Sequence, residues 1–582
     1  MRILCLIPAR GGSKGLPGKN LRTVGGVSLV GRATMVARDF LTRVGAADGI
    51  VLVDTDNGAI AAEALAWGAA VPFLRAPELA RDATPAIDST LAALDRLEGA
   101  GPSFEAVVLL QPTSPLRTVD DVLACWRRFD PVARPSVASV VPTPHPVELA
   151  VRRDADDRLS WVQPPGGELR RQRFQPAYWL TGAVYVNATN TLRERRAFVV
   201  PGVTCGVEIA AERSIDVDTE ADLAAAEAAL GRAAPRPVAI AGRHIGAARC
   251  FVIAEAGVNH NGDVALAHRL VDVAADAGAD AVKFQTFEPE LVVSREAARA
   301  EYQIANTGSA DTQLALLRQL ALPREAFVAL AEHARERDII FLSTAFDEPS
   351  ADFLDELGVP AFKVPSGEVT NHPFIAYLAR KGKPVLLSTG MCTLAEVAEA
   401  VRVVREHGDP PLALLHCVTN YPAAPSDCNL RAMDTMRRAF GVPVGWSDHS
   451  EGVVISLAAT VAGAEVLEKH FTLDRSLPGP DHLASLEPRE LHALVTSARA
   501  AEAAMGDGDK RPTASESAHR LLVRRSLHAS RDLPAGHALG ADDLLALRPG
   551  GGVAPAARAR VVGRRLRRAL DRGEMLTEEH LV

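Results

Sequence analysis

The stretch FVIAEA, Phe251 to Ala256, is a short apolar run with a glutamate near its end. It reads as a buried strand and opens a series. DAVKFQ (280–285), IIFLST (339–344), PAFKVPS (360–366), PVLLST (384–389), LALLHC (412–417), VPVGWS (442–447) and AEVLEKH (464–470) follow, separated by helical stretches. Eight strand-and-helix units within residues 246–505 match a (β/α)8 TIM barrel, where catalysis sits at the C-terminal strand ends. Polar residues collect at those ends: Glu255; Lys283 and Gln285; Ser343 and Thr344; Lys363, Ser366 and Glu368; Ser388; His416; Ser447, Asp448 and His449; Glu468 and His470. Buried charges must be paired or used, so this barrel is expected to be an enzyme rather than a scaffold.

His449 and His470 end the seventh and eighth strands, which are neighbours in a closed barrel, so their imidazoles are placed to converge on one divalent ion. Two histidines leave positions open for water and substrate, an arrangement suited to a Lewis acid, with Mn2+ or Mg2+ as compatible as Zn2+. Lys283 and Lys363, with the hydroxyls of Thr344, Ser366, Ser388 and Ser447, offer donors for a compact anion carrying carboxylate and phosphate groups. Glu255 and Glu368 are left to grip hydroxyls or move protons. The motifs AEAGVNHNGD, DAVKFQTF, STAFDEPSADFL, FKVPSGEVTN, KPVLLSTGM, GWSDHSEG, EKHFTLD and GPDHLASLEP resemble the sialic acid synthase family over nearly all of residues 246–505. The resemblance implies condensation of phosphoenolpyruvate with an N-acylated mannosamine-type hexosamine, giving a nine-carbon 2-keto acid and phosphate. It also implies metal ligation by His449 and His470, phosphoenolpyruvate contacts from Lys283, Thr344, Lys363, Ser366, Ser388 and Ser447, and sugar contacts from Glu255, Glu368 and Asp481. SGEVTN and STAFD look closer to the sialic and legionaminic branches than to the pseudaminic one, and the legionaminic branch is expected.

At the other end of the chain, IPARGGSKGLPGKN (7–20) follows a strand candidate made of Ile3, Leu4, Leu6 and Ile7. Its glycines let backbone N–H groups approach an anion, and Arg10, Lys14 and Lys19 add positive charge. The spacing is neither that of a P-loop nor G-x-G-x-x-G. Asp54 and Asp56 end a second strand, RAPELARDAT offers Arg75 and Asp82, and VVLLQPTSPLR gives a third strand with Gln111, Thr113, Ser114 and Arg117. SIDVDTEAD sets Asp216 and Asp218 on one face of an extended segment, where they can share a hard cation. These parts together describe a Rossmann-like nucleotidyltransferase domain. They resemble the CMP-sialic acid synthetase (acylneuraminate cytidylyltransferase) family across residues 1–232. That resemblance implies CTP triphosphate contacts from Arg10, Lys14 and Lys19, cytosine or ribose contacts near Asn20, Arg75 and Gln111, and Mg2+ on Asp216 and Asp218. The family's sugar-binding stretch usually reads close to RRQDxPxxYxxNGAxY; here it is RRQRFQPAYWLTGAVYV, with Arg173 in place of the acid and Thr181 in place of the asparagine.

The chain has 582 residues, 47% of them apolar, enough for more than one core. A net charge of −8 argues against a general nucleic-acid binder. Seven scattered cysteines without C-x-x-C suggest neither a disulfide framework nor a zinc ribbon, and a reducing cytoplasm is expected. No apolar run approaches a membrane span or a signal peptide. Thr219 and Asp222 form a candidate capping box before an Ala-rich helix ending at Gly231. GRAAPRPVAIAGRH then reads as a linker in which Val238 to Ile240 is a candidate short strand, and Gly506 to His519 reads as a second break. Three domains are expected, at 1–232, 246–505 and 520–582. The last, with RRSL, DLPAGHAL and LRPGGGVAP, resembles the β-rich antifreeze-like (SAF) domain of the synthase family. By that resemblance Arg525 reaches the sugar site of the partner in a domain-swapped homodimer. Many charges and no Thr array argue against ice binding.

The expected function is bifunctional: the barrel makes a nonulosonic acid and the first domain activates it with CTP to the CMP-sugar. Arg173 and Thr181 motivate the alternative that the first domain is degenerate or takes a different acid sugar. A non-catalytic sugar-binding role conflicts with the intact Lys, Glu and His set at the strand ends.

Overall fold

A computed structural model describes residues 1–13, 15–81, 83–162, 176–231, 235–246, 249–300, 303–304, 306 and 311–582. Lys14, Asp82 and Arg173 lie outside the described residues.

The N-terminal sheet has six strands in the order Cys205–Glu208, Ser136–Pro142, Tyr178–Ala188, Ala106–Leu109, Ile3–Pro8, Ile50–Asp54. Ile3–Pro8 runs parallel to both of its neighbours, as a Rossmann-like core requires, whereas Tyr178–Ala188 is antiparallel to both of its own, so the sheet is mixed. The Ala-rich helix forms at Glu220–Leu230, with Thr219 and Asp222 closing the capping box at its start.

The central element is a closed barrel of eight parallel strands in chain order, from Phe251–Gly257 to Val466–His470. Strand alternation sorts its residues. Val252 and Ala254 join the large core formed with the surrounding helices, while Phe251, Ile253, Ala281, Leu342, Ala361, Leu386, Ala413, Leu415 and Val466 fill the barrel interior. The next inward position along each strand is therefore the mouth. Two residues beyond Ile253 comes Glu255, beyond Ala281 Lys283, beyond Leu342 Thr344, beyond Ala361 Lys363, beyond Leu386 Ser388 and beyond Val466 Glu468.

The stretch read as a linker does more than connect. Val238–Ile240 pairs antiparallel with Arg243–Ile245, and the buried side chains of Val238, Ile240 and Ile245 complete the same interior cluster. The candidate strand Val238–Ile240 therefore forms as read from the sequence, whereas its partner Arg243–Ile245 carries too little apolar period to announce the plug. Beside it, Asp280 accepts from Val252 N at 2.8 Å, Arg499 Nη2 at 2.6 Å and Arg249 Nη2 at 3.1 Å, and pairs with Arg243. This carboxylate ties the hairpin to the first two strands and to the last barrel helix, Pro488–Met505.

Met505–Val582 forms a separate compact unit. Its strands Ser526–Ala529 and Leu544–Leu547 pair antiparallel, and further bridges such as Leu533 with Leu570 wrap a core containing Leu527, Leu539, Val561 and Leu576. Among the described residues no helix is long and apolar enough to cross a membrane.

Asp280→Ala is expected to destabilise the barrel by about 2–3 kcal/mol, the scale of hydrogen bonds to a charged group. Urea denaturation followed by tryptophan fluorescence checks this; an unchanged midpoint would show that the clasp is dispensable.

Candidate active sites

The inward rows of the barrel bring four charges together at its mouth. Lys283 Nζ lies 2.7 Å from Glu255 Oε2 and 3.7 Å from Glu468 Oε2, and Lys363 Nζ lies 3.3 Å from Glu468 Oε1. None of the four is more than 5% exposed, so each depends on the others for its charge. Lys283 donates to Thr344 Oγ1 at 2.8 Å, and Ser447 Oγ donates to Glu468 Oε1 at 3.0 Å. Burial raises the Glu255 carboxyl and Glu468 raises it further, against the opposing pull of Lys283. Burial acts on Glu468 too, but Lys283 and Lys363 outweigh it and hold that carboxylate low. Lys283 is raised because its two glutamates overcome burial, whereas Lys363 is lowered, chiefly by burial. The cluster thus sets a carboxylate held low, Glu468, beside a carboxyl pushed up, Glu255, with two buried lysines between them.

Around this core, Ser366 Oγ accepts from Gly390 N at 2.9 Å and lies 3.1 Å from Cys417 Sγ. The Ser388 hydroxyl is buried without a hydrogen-bond partner. Glu368 sits half-buried on the turn Ser366–Glu368 and accepts from Asn371 Nδ2 at 2.7 Å. Asp481 follows the last strand, its carboxyl pushed up to about 6 by burial.

The rings of His449 and His470 are 5.7 Å apart. His449 Nδ1 donates to Val418 O at 2.6 Å, which leaves Nε2 with its lone pair, facing Tyr421 Oη at 3.1 Å. His470 Nδ1 is buried and has no hydrogen-bond partner. Burial lowers the His449 imidazole to about 4 and, with the nearby His449, takes His470 well below its ordinary value. Two neutral imidazoles with an orphaned ring nitrogen fit a divalent metal. Among the described residues no group of three potential ligands converges, so such an ion would take its remaining ligands from water and substrate.

The second cleft lies at the C-terminal ends of Ile3–Pro8 and its neighbours and has a volume of about 370 Å³. Arg10, Lys19, Asn20, Arg75, Gln111, Asp216 and Asp218 all line it, residues scattered over some two hundred positions of chain. Lys19 Nζ pairs with Asp218 Oδ1 at 2.8 Å, and Asn20 Nδ2 donates to Arg10 O at 2.9 Å. Gly18 sits at φ 64°, and a Cβ on Gly15 would stand 2.8 Å from the Asp218 carbonyl, so the basic loop can lie against the acidic segment only with glycine there. Burial raises Asp216, with Asp218 adding to the effect, and a cation between the two would relieve both. Arg75 is buried and bound to Asp54 at 2.8 Å, so it braces the cleft as well as facing it. Thr181 is turned inward: its hydroxyl lies 2.6 Å from Ser139 Oγ and accepts from Ala183 N, beside an irregularity in strand pairing.

The NeuB family model matches residues 270–510. N,N'-diacetyllegionaminic acid synthase of Legionella pneumophila is 48% identical over 336 residues, 57% of this chain and 94% of that protein. The chain belongs to the NeuB family. The Campylobacter jejuni N,N'-diacetyllegionaminic acid synthase is 46% identical over 52% of this chain and 92% of its own length. Among solved structures, the N-acetylneuraminic acid synthetase of Leptospira borgpetersenii is 36% identical over 49% of this chain and 95% of that one, with a TM-score of 0.44. Outside the barrel, a Cytidylyltransferase model matches residues 4–127 and a SAF domain model residues 524–582. The protein is thus a NeuB-family synthase fused to a cytidylyltransferase domain.

The sequence places Glu468 at a strand end without indicating its role and gives no signal for Tyr421. Glu468 was visible at a strand end, two residues before His470; that it bridges both lysines follows from closure of the barrel, which brings the eighth strand against the first. Tyr421 stacks on His449 with centroids 4.2 Å apart and meets His470 edge-on, and it comes from a loop with no periodic signal. Arg525 belongs to the C-terminal unit, where its Nη1 donates to Ala546 O at 3.3 Å.

Glu468→Gln removes the carboxylate between two buried ammonium groups. Phosphate release from phosphoenolpyruvate is expected to fall by about a hundredfold or more, the size of losses at preorganised charged sites. CMP transfer from added nonulosonate should be unaffected. Equal loss in both assays would indicate misfolding rather than a local role.

Proposed function

We propose that the chain carries out two consecutive reactions, condensation of phosphoenolpyruvate with an N-acyl mannosamine-type sugar to a nonulosonic acid and transfer of CMP from CTP to that acid. The observation that supports this most is the pairing, on one chain, of a buried Lys and Glu cluster beside two neutral histidines with a basic loop against two aspartates in a second cleft.

In the barrel, Lys283 and Lys363 hold the carboxylate and phosphate of phosphoenolpyruvate, with Thr344, Ser366, Ser388 and Ser447 as neutral donors. Glu255, Glu368 and Asp481 grip the hydroxyls of the open-chain sugar and set its aldehyde against C3 of phosphoenolpyruvate. The new C–C bond forms between C3 and the aldehyde carbon, water adds at C2, and C2–O cleavage releases phosphate and leaves the keto acid. A divalent metal on His449 and His470 would supply Lewis-acid polarisation of the aldehyde. Glu255, raised by burial, is placed to receive and return the proton that these steps move.

In the second cleft, Arg10 and Lys19, joined by Lys14 as the family resemblance implies, hold the CTP triphosphate, and Asn20, Arg75 and Gln111 hold the nucleoside. The sugar's 2-hydroxyl attacks the α-phosphorus in line and pyrophosphate leaves, its charge taken up by the lysines. Mg2+ on Asp216 and Asp218 would neutralise phosphate charge. The two legionaminic acid synthases among the relatives favour 2,4-diacetamido-2,4,6-trideoxymannose as the acceptor. A second reading, that the first domain takes a different acid sugar, is favoured by Thr181, whose hydroxyl is engaged with Ser139 where the related family carries an asparagine. The resemblance of the C-terminal unit to SAF domains supports a swapped homodimer in which Arg525 serves the partner's sugar site, in a cytoplasmic enzyme.

Mass spectrometry of full-length protein with phosphoenolpyruvate, CTP, Mn2+ and Mg2+, and with N-acetylmannosamine and the diacetamido sugar in competition, tests the reading. A CMP-linked nonulosonate of legionaminic mass is expected; free nonulosonate alone would refute CTP activation. The pH dependence is a further test. The Asp481 carboxyl is protonated below about 6 and ionised above it. kcat/KM for the sugar should therefore rise as pH passes 6, and Asp481→Asn should flatten that limb.

A further inference from the structure

In the seam between the two catalytic halves, the helix Leu29–Arg43 lies along the barrel helix Leu394–Glu406. A cavity of about 270 Å³ opens there. Six arginines line it, Arg32, Arg38, Arg43, Arg117, Arg402 and Arg405, against only two carboxylates, Asp39 and Glu399. Ion pairs account for three of the six: Arg38 and Arg402 meet Glu399 at 2.9 and 3.1 Å, and Arg43 meets Asp39 at 3.0 Å.

The other three are held by main-chain carbonyls. Arg32 Nε donates to Val24 O at 2.7 Å, Arg117 Nη1 to Ala183 O at 2.7 Å and to Gln111 O at 3.0 Å, and Arg405 Nη2 to Phe440 O at 2.7 Å. Among the described residues none of these three forms an ion pair. Arg117 is 4% exposed, and its Nε and the Nη2 of Arg32 are buried without hydrogen-bond partners. Burial depresses both guanidinium groups to about 10, with Asp121 and Glu227 acting only at a distance. Guanidinium groups desolvated in this way and lacking counter-charge call for an anion.

We propose that this seam is a binding site for a small polyanion, phosphoryl or carboxylate in type, gripped by Arg32 and Arg117 from the cytidylyltransferase half and by Arg405 from the barrel. The cavity is of a size for pyrophosphate or a tricarboxylate, and apolar walls from Met35, Trp67 and Phe440 exclude water and strengthen each charge contact. Arg117 follows the strand that carries Gln111 but lines this cavity and not the second cleft, and no other residue named above for either catalytic cleft lines it. Because both halves supply the grip, occupancy stabilises their docked arrangement and links the two active sites thermodynamically.

Isothermal titration of inorganic pyrophosphate, and separately of citrate, into full-length Lys19→Ala protein tests this with the CTP cleft disabled. Besides any anion taken up at the barrel mouth, a site is expected that weakens by about tenfold or more in Arg405→Gln and in Arg32→Gln, the scale of a lost charge-assisted hydrogen bond, and that Arg405→Lys largely restores. Unchanged phosphate release from phosphoenolpyruvate in each variant verifies folding. The anion that produces the site distinguishes a phosphoryl from a carboxylate ligand. If neither anion shows a site that both substitutions weaken, the proposal is overturned.

Discussion

Two lysines and two glutamates share one buried space at the top of the barrel, and most of the catalytic half is arranged to make that tolerable. An isolated buried lysine or glutamate would be expelled or neutralised, so Lys283, Lys363, Glu255 and Glu468 persist only as a set. The barrel supplies the set by periodicity alone. The inward rows are apolar below, where the hairpin at residues 238–245 seals the base, and four of them become charged one step higher, at Glu255, Lys283, Lys363 and Glu468. The Ser388 hydroxyl and the His470 nitrogen are both buried there without hydrogen-bond partners.

The cytidylyltransferase cleft uses the opposite strategy. Its basic loop is rich in glycine, and its charges are shared with a segment two hundred residues away, Lys19 with Asp218. The loop closes on that segment because Gly15 and Gly18 have no side chain to obstruct it. The barrel site is buried, whereas this one is a cleft assembled from distant chain. The arginine-lined seam lies between two sites of such different character, and an anion there would hold one half against the other.

Much of this was legible before any coordinates. Apolar runs ending in Lys, Glu or His mark barrel strands, and inward alternation places Glu255, Lys283, Thr344 and Lys363 correctly. The capping box at Thr219 and Asp222 was equally plain, since capping is a local code. Contacts set by closure or docking were not legible. The bridging role of Glu468 depends on the eighth strand meeting the first, and Tyr421 reaches His449 and His470 from an aperiodic loop. Residues 238–245 looked like a linker with one candidate strand because two three-residue strands hold too few apolar positions to show a period. The surplus of arginine in the seam is invisible in a chain whose net charge is −8.

The measurement that bears most directly on this account is a calorimetric titration of phosphoenolpyruvate into the full-length protein without sugar or CTP. The tightest site should be weakened by about a hundredfold in Lys363→Ala, as expected for loss of a desolvated charge contact, and unchanged in Lys19→Ala. Binding that tracks Lys19 and ignores Lys363 would contradict the view that the buried charge cluster of the barrel is the phosphoenolpyruvate site.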